Sequence, residues 1–591
     1  MDDSLVPHKG YCFSKVVVPL LGLMLVASVI GRVWWGHYAD QQWQAQLDAI
    51  SARGEPLTWE EMQPPPVKGP NAYDAYLAAS EDPGFKTAMR LRVDSTRGVY
   101  DPDEPSEAAP HGPSFVPPWM APPATAPMAT AMTGVSTTTD GSDQSRTAPA
   151  TSPSPAKTGA ARVLSLNNGR IGLYDELYSR EFRQAHPDAV DHFLHLAESS
   201  LRKVRQARDL DFRLPVVGDD FFAAIPNLSC FRTLTRALAV TAMVEHDRGN
   251  DRQALQYVDD MLLLAEQVDS GATIIGHSVS LAVIRITCDT LENMVHDLRI
   301  GDAPAASRQQ VDALIRRFTD TRRSNESIRR SLLGERNMAY PRFDRAAKGA
   351  MSITELHTGE EQPPGCGDLL IHMISSPAIR LSGVRDMQYY DALAVASQDR
   401  WKHATGAWTP NEDCSRVQGI GYALAMHFWP SMEHYNSIHF RCVGQQRMGA
   451  AALAIRLYEL DNGHLPADLA ELAPRYIQAV PEDPFTLKPG PIGWKLDGRY
   501  RVLFVLNQDR KADDGEFACK AAAPGSVDRD TMDLVWFLDG NRGKAEGEVV
   551  TRTPLLFPWM PKSSRTARPA TPTSQATSAT SPAKAAGPQS H

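Results

Sequence analysis

The chain has few of the residue patterns that signal a particular chemistry. Its 591 residues include only seven cysteines, and no two are spaced C-x-x-C, so a zinc ribbon or a dithiol motif is poorly supported. It contains no H-E-x-x-H, no G-x-S-x-G and no Walker loop. The glycines of "GIGYAL" at 419–424 lack the last member of a dinucleotide fingerprint. Excess charge of one sign is also scarce. A net charge of −9 over this length gives no basic footprint, so nucleic acid is excluded as a bulk partner. No catalytic residue can be named from these patterns.

Long apolar runs are equally rare, which makes the single one informative. "KVVVPLLGLMLVASVIGRVWWG" has sixteen uncharged residues from Val16 to Gly31, then Arg32, then Val33-Trp34-Trp35. The run is short for a span, but an arginine can snorkel at its edge and the tryptophan pair suits an interface belt. Residues 16–36 are therefore expected to form a transmembrane helix. Lys9 and Lys15 precede it, so residues 1–15 are expected in the cytoplasm and the bulk of the chain outside the inner (cytoplasmic) membrane. A cleaved signal peptide is the rival reading, but "LVASVIG" offers no clean A-x-A site, which favours an uncleaved anchor. Cys12 falls on the cytoplasmic flank. Cys230, Cys288, Cys366, Cys414, Cys442 and Cys519 would lie outside, where disulfides can persist, with buried free thiols as the alternative.

The composition divides the rest. Over 37–100, Ala39, Trp43, Leu47 and Ile50 recur at helical spacing, so the anchor helix should continue outward to Gly54. Thr58 and Glu61 then stand at capping-box spacing. Residues 101–160 are Pro, Ala, Thr, Ser and Gly with little aliphatic bulk, and read as a disordered linker; 559–591 repeat that composition as a tail. Residues 161–440 read as a helical domain. Stripes such as Val190-Leu194-Ala197-Leu201 and Phe231-Leu234-Leu238 alternate with tight turns, notably Gly249-Asn250. The pair at 232–268 resembles a tetratricopeptide repeat. No second copy follows at a fixed period, so irregular helical hairpins are expected. "HTGEEQPPGCGD" reads as a loop, with helices at about 380–402 and 415–446 and Pro430 kinking or breaking the second.

The final folded stretch, 441–558, changes character. From Gln446, "QRMGAAALAIRLYEL" is a helix of small residues able to lie close to a sheet. Asn462-Gly463 supplies a left-handed stop, and Pro466 pre-sets a second short helix with Leu469 and Leu472 packing back. "IGWKL" and "YRVLFVLN" alternate like half-buried strands about Asp497-Gly498, a hairpin signal, and "DLVWFL" supplies a third strand. The expected fold class is thus multidomain and mainly α: a transmembrane helix, a helical-hairpin domain, and a C-terminal α+β module of one helix on a three-stranded antiparallel sheet. Helix and sheet together close a small core, so 440–545 should fold when cut free.

Tyr458, Gly463, Pro466, Leu469, Leu472, Pro481, Asp483, Pro484 and Phe485 stand in the order and spacing of the periplasmic part of type II secretion major pseudopilins, which this segment resembles. The whole layout, with an anchor, the "GEPLTWEE" stretch at Gly54–Glu61 and a helical middle, is similar to large membrane-anchored bacterial proteins of planctomycete type. The pseudopilin resemblance implies calcium in the loop after the second strand. There Asp509, Asp513 and Asp514 would be the metal ligands and Gly515 a turn, with a solvated acidic turn as the other reading. The layout departs from a pilin. More than 400 residues separate anchor and module, and Lys15 stands where pilins place a pairing glutamate after the glycine, here Gly10; no filament is expected.

Other candidates are weaker. His192 and His195 share a helix face beside Asp191 but lack a third ligand. His427 and His434 are separated by Pro430. The arginine pairs at 316–317, 322–323 and 329–330 read as a solvated face. The expected function is a membrane-anchored extracytoplasmic binding or scaffold protein with a protein partner. The alternative is an extracytoplasmic, hydrolase-like enzyme, which a cleft gathering carboxylates and histidines would favour.

Overall fold

The apolar run is part of a longer helix. In the computed structural model it belongs to one helix, α1 (Gly10–Ala52), closed by Gly54 in the left-handed region at φ +67°. The structure describes residues 10–63, 65–94, 99–100, 170–214, 228–352, 355–356, 366–398, 401, 430–486, 488–496, 501–507 and 533–540. Along α1, Val18 to Val33 leave their large apolar side chains exposed, whereas Ala39, Trp43 and Ile50 are buried. The same helix is thus solvent-type on one half and core-type on the other. A second helix long and apolar enough to cross a membrane, beginning at Ile274, is mostly buried inside the protein.

Short helices follow: α2 (Trp59–Met62), α3 (Ala72–Ser80) and α4 (Pro83–Arg90). The Thr58 hydroxyl accepts from Glu61 N, while Glu61 accepts in return from Leu57 N at 2.8 Å, so the capping spacing is realised. Strand β1 (Arg92–Asp94) pairs antiparallel with β2 (Val99–Tyr100) on one side and β3 (Arg170–Gly172) on the other. Tyr100 and Arg170, on either side of residues 101–169, thus lie on a single small sheet. The 37–100 segment is not set apart from the helical body: Tyr73, Tyr76 and Phe85 share one core with Phe193 and Phe231.

The body consists of α5 (Leu173–Glu176), α6 (Arg180–Ala185), α7 (Pro187–Gln206), α8 (Ser229–Asp247), α9 (Asp251–Asp269), α10 (Ile274–Met294), α11 (Arg308–Thr319), α12 (Thr321–Ala347), α13 (Cys366–Ala396) and α14 (Pro430–Asn462). Gly249, at φ +92°, turns α8 back into α9 as expected. That turn is locked by charge. His246 lies between Asp251, which its Nδ1 meets, and Asp297, 2.7 Å from its Nε2, while Arg299 Nε donates to Asp251 at 2.6 Å. Burial works to lower the His246 pKa, but the two carboxylates outweigh it and raise it, favouring the charged ring.

Pro430 is the first residue of α14, and residues 415–429 of the helix expected there lie outside the described residues. What the sequence divides into two helices is one helix of 33 residues. The short helix after Gly463 (φ +74°) is a 3₁₀ turn, Leu469–Leu472, opened by Asp468 and Glu471 as a capping box. Tyr458 donates its hydroxyl to Glu471, tying that turn to α14.

The three expected strands form as β4 (Gly493–Leu496), β5 (Arg501–Val505) and β6 (Leu534–Phe537), in the antiparallel order β4-β5-β6, with Trp494 opposite Leu503 and Leu503 opposite Trp536. Asp497-Gly498 lies outside the described residues. Asp483 is buried and bridges, accepting from Phe485 N and from Leu506 N, both at 2.8 Å. It fastens the Pro-x-Asp-Pro turn to the end of β5. Helix α14 does not form a separate core with this sheet. Met448, Ala450 to Ile455 and Leu457 are buried all round, and the cluster they join runs from Leu291 and Leu314 through Leu453 to Leu503 and Trp536. The small residues read as one close approach serve two. A Cβ on Gly449 would lie 3.1 Å from Trp536 on the sheet side and 3.7 Å from Leu291 on the helical side.

Candidate functional site

The calcium ligands expected from the sequence, Asp509, Asp513 and Asp514, lie outside the described residues. Among the described residues no cluster of three or more histidine, cysteine or acidic side chains forms a metal site. His195 is exposed on α7 and Asp191 beside it is spent on Arg248 at 2.7 Å. His427 lies outside the described residues, and only the backbone of His434 is described. Cys230, Cys288 and Cys442 are buried free thiols. The arginine pairs are only partly a solvated face: Arg317 binds Asp259 and Glu266, Arg323 binds Glu266 at 3.0 Å, and Arg329 reaches Glu55 at 2.9 Å.

A cavity of about 530 Å³ opens where the end of α9, the start of α10 and the start of α12 meet. Asp269 is the last residue of α9. The chain reverses through Ala272, at φ +53°, and Thr273 caps α10 by accepting from Gly276 N at 2.9 Å. The carbonyl of Ala272 sits against Gly334 of α12, where a Cβ would lie only 1.8 Å away, so glycine is required for that approach. The turn brings His277, in the first turn of α10, back onto Asp269: Nδ1 donates to Oδ1 at 2.7 Å. Ser327 of α12 donates to the other oxygen of the same carboxylate.

On its inner side His277 meets a second histidine. Its Nε2 is 3.1 Å from Nδ1 of His439 on α14. With the His277 Nδ1 proton given to Asp269, Nε2 accepts from His439 Nδ1–H, which leaves His439 Nε2 as a bare acceptor. That atom is fully buried and has no hydrogen-bond partner among the described residues. Burial, with His277 and Arg447 nearby, holds the His439 pKa well below the ordinary histidine range, so the ring is neutral. Behind the site Glu335 accepts from Ile274 N at 3.0 Å, fixing the start of α10, and burial pushes its carboxyl up to about 7.

Arg322 and Arg330 line the cavity and pair with no carboxylate among the described residues; Arg330 reaches only the Ser270 carbonyl, at 3.4 Å. The arrangement is a polar floor beneath uncommitted guanidinium groups. Because both ring nitrogens of His277 are engaged, it is not free to take a proton from a ligand. Asp269 and His277 are eight residues apart and His439 is 162 further on, so no short motif connects them. The nearest signal in the sequence is Gly271 between two helices, which marks the turn but not its chemistry. The chain matches no family profile, no curated protein and no solved structure.

Proposed function

We propose that the protein is a membrane-anchored, extracytoplasmic binding protein whose helical body is carried rigidly on its anchor. One observation carries this reading: α1 runs unbroken from an exposed apolar stretch into a buried one, with Trp43 and Ile50 in the core of the body. An apolar face of that length without protein cover suits lipid, and the flanking Lys9 and Lys15 favour an inward N-terminus. The body offers a cavity with Arg322 and Arg330 at its wall, which suits a partner presenting carboxylate or phosphate groups. The hydrolase reading gains little from this cavity, because neither nitrogen of His277 is available as a base.

A C-terminal reporter that works only outside the cytoplasm should be active, and the protein should resist alkaline carbonate extraction. Cross-linked complexes captured from membranes should lose a specific partner when Arg322 and Arg330 are both replaced by Glu. An active cytoplasmic reporter would reverse the topology, and a partner profile unchanged by the double replacement would remove the cavity from the reading.

A further inference from the structure

Helices α1 and α13 lie side by side and run in the same direction. Arg32 Nε donates to the Met373 carbonyl at 2.9 Å, Asp40 pairs with Arg380, Gln388 donates to Gln46 at 3.4 Å, and Arg53 reaches Asp391 at 2.8 Å. The sequence separation across these hydrogen bonds stays between 338 and 342, so the two helices keep one register along the whole contact. At mid-contact they touch closely: a Cβ on Gly383 would lie 2.6 Å from the Trp43 ring. Parallel packing fixes which end of α13 faces the anchor's apolar half. It is the amino-terminal end.

Met373 therefore stands level with Arg32, the first charge after the apolar run. Met373 and Ile374 are 69% and 64% exposed, whereas Ala378 and Ile379, one turn further on, are buried. The neighbouring α1 residues Ile30, Val33 and Trp34 are equally exposed, at 64%, 67% and 69%. The two helices thus share one uncovered apolar surface at this level. Seven residues of α13, Cys366 to His372, extend beyond Met373 in the same direction. At 1.5 Å of rise per residue that is about 10 Å, which places their backbone beside α1 residues near Leu25 to Gly31.

We propose that the amino-terminal end of α13 is embedded in the outer leaflet of the bilayer beside α1, giving the body a second contact with lipid. This rests on the reading of α1 as a membrane anchor. The occupant is lipid rather than protein because the exposed face of Met373 and Ile374 is continuous with the apolar surface of the span itself. The segment "CGDLLIHMI" includes Asp368 and His372, so it is not a span in its own right. Its position comes from packing: α13 is held along α1 by the pairs above and by the shared core of Trp43, Phe343, Ile379 and Met387. An anchor with one helix lets a body pivot; two parallel helices entering the same leaflet fix its tilt and its azimuth.

The test uses the full-length protein in its native membrane, carrying the photo-crosslinking residue p-benzoyl-phenylalanine at one position at a time. The positions are Val29 on the anchor, Ile374, and Val395. Val395 is also on α13 and 74% exposed, but lies 21 residues from Ile374 at the opposite end. Irradiation after feeding the cells an alkyne-tagged fatty acid reports contact with acyl chains. Val29 and Ile374 should both give tagged adducts and Val395 none. Labelling at Val29 without labelling at Ile374 overturns the second contact and leaves the anchor standing. A protein adduct at Ile374 in place of a lipid one also overturns it. No labelling at Val29 removes the anchor reading and this inference with it.

Discussion

Arg336 Nη1 lies 2.7 Å from Glu55 Oε2 and 2.6 Å from Asp391 Oδ1, so one fully buried guanidinium joins the segment just after α1 to α12 and α13. Its Nη2 also donates to the Pro56 carbonyl at 2.9 Å, and Arg329 adds a second cation on Glu55 at 2.9 Å. The "GEPLTWEE" stretch is thus a clasp. Replacing Arg336 with Met leaves two carboxylates short of their buried cation, which costs about 3 kcal/mol. The expected result is a lower melting temperature together with protease cleavage near residues 52–58, read on the purified full-length protein. An unchanged melt would mean that Arg53 and Arg329 suffice.

Glu335 yields a pH dependence. Its folded-state pKa is raised, to about 7, so the fold favours the protonated form. That contribution is complete below the ordinary glutamate range and is lost as pH rises through about 7. Glu335→Gln keeps an acceptor for Ile274 N and cannot ionise. Melts of the two proteins should nearly coincide at pH 5 and separate at pH 8, the variant being more stable by up to about 3 kcal/mol. Parallel curves across that range would show that Glu335 does not titrate there.

The histidine at the α8–α9 turn should lose its contribution in the same direction, as pH rises. The His246 pKa is raised, so its contribution is full below about 6.5 and is lost as pH rises through the folded value. Asp251, despite burial, is held low by His246 and Arg299, and that share is lost only as pH falls below the usual aspartate range. Replacing His246 with Gln should therefore cost most stability between about pH 5 and 6 and progressively less towards pH 9. Thermal melts at matched ionic strength measure the difference. A constant gap would argue for packing rather than charge.

The C-terminal sheet and its helix should not fold alone. An isolated 440–545 segment would expose the α14 face that packs on Leu291 and Leu314, in addition to losing those contacts. Circular dichroism should show helix without a cooperative melt. A sharp transition would mean that the sheet side of α14 is enough.

Local chemistry was readable from the chain where one segment carries it. Gly249, Gly463, the Thr58–Glu61 cap and the three strands follow from turn and period signals in residues a few positions apart. The limits are equally specific. "GAAALAI" in α14 reads as one close approach because periodicity over so few distinct side chains does not count neighbours, and two sides are in fact covered. The Asp269–His277–His439 chain is invisible because its members are joined by tertiary packing alone. The calcium expectation at Asp509, Asp513 and Asp514 falls outside the described residues.

The central place of α14 bears on how this protein is made. Its core residues, Met448 to Leu457, are synthesised after about three quarters of the chain, yet they pack in one cluster with Leu291 of α10 and Leu314 of α11. A nascent chain that has emerged only as far as α13 therefore presents an open apolar trough, and the core closes when the ribosome has delivered the residues beyond 430. Until then that apolar surface stays open, and a product truncated before α14 should be prone to aggregation and proteolysis rather than act as a smaller working protein.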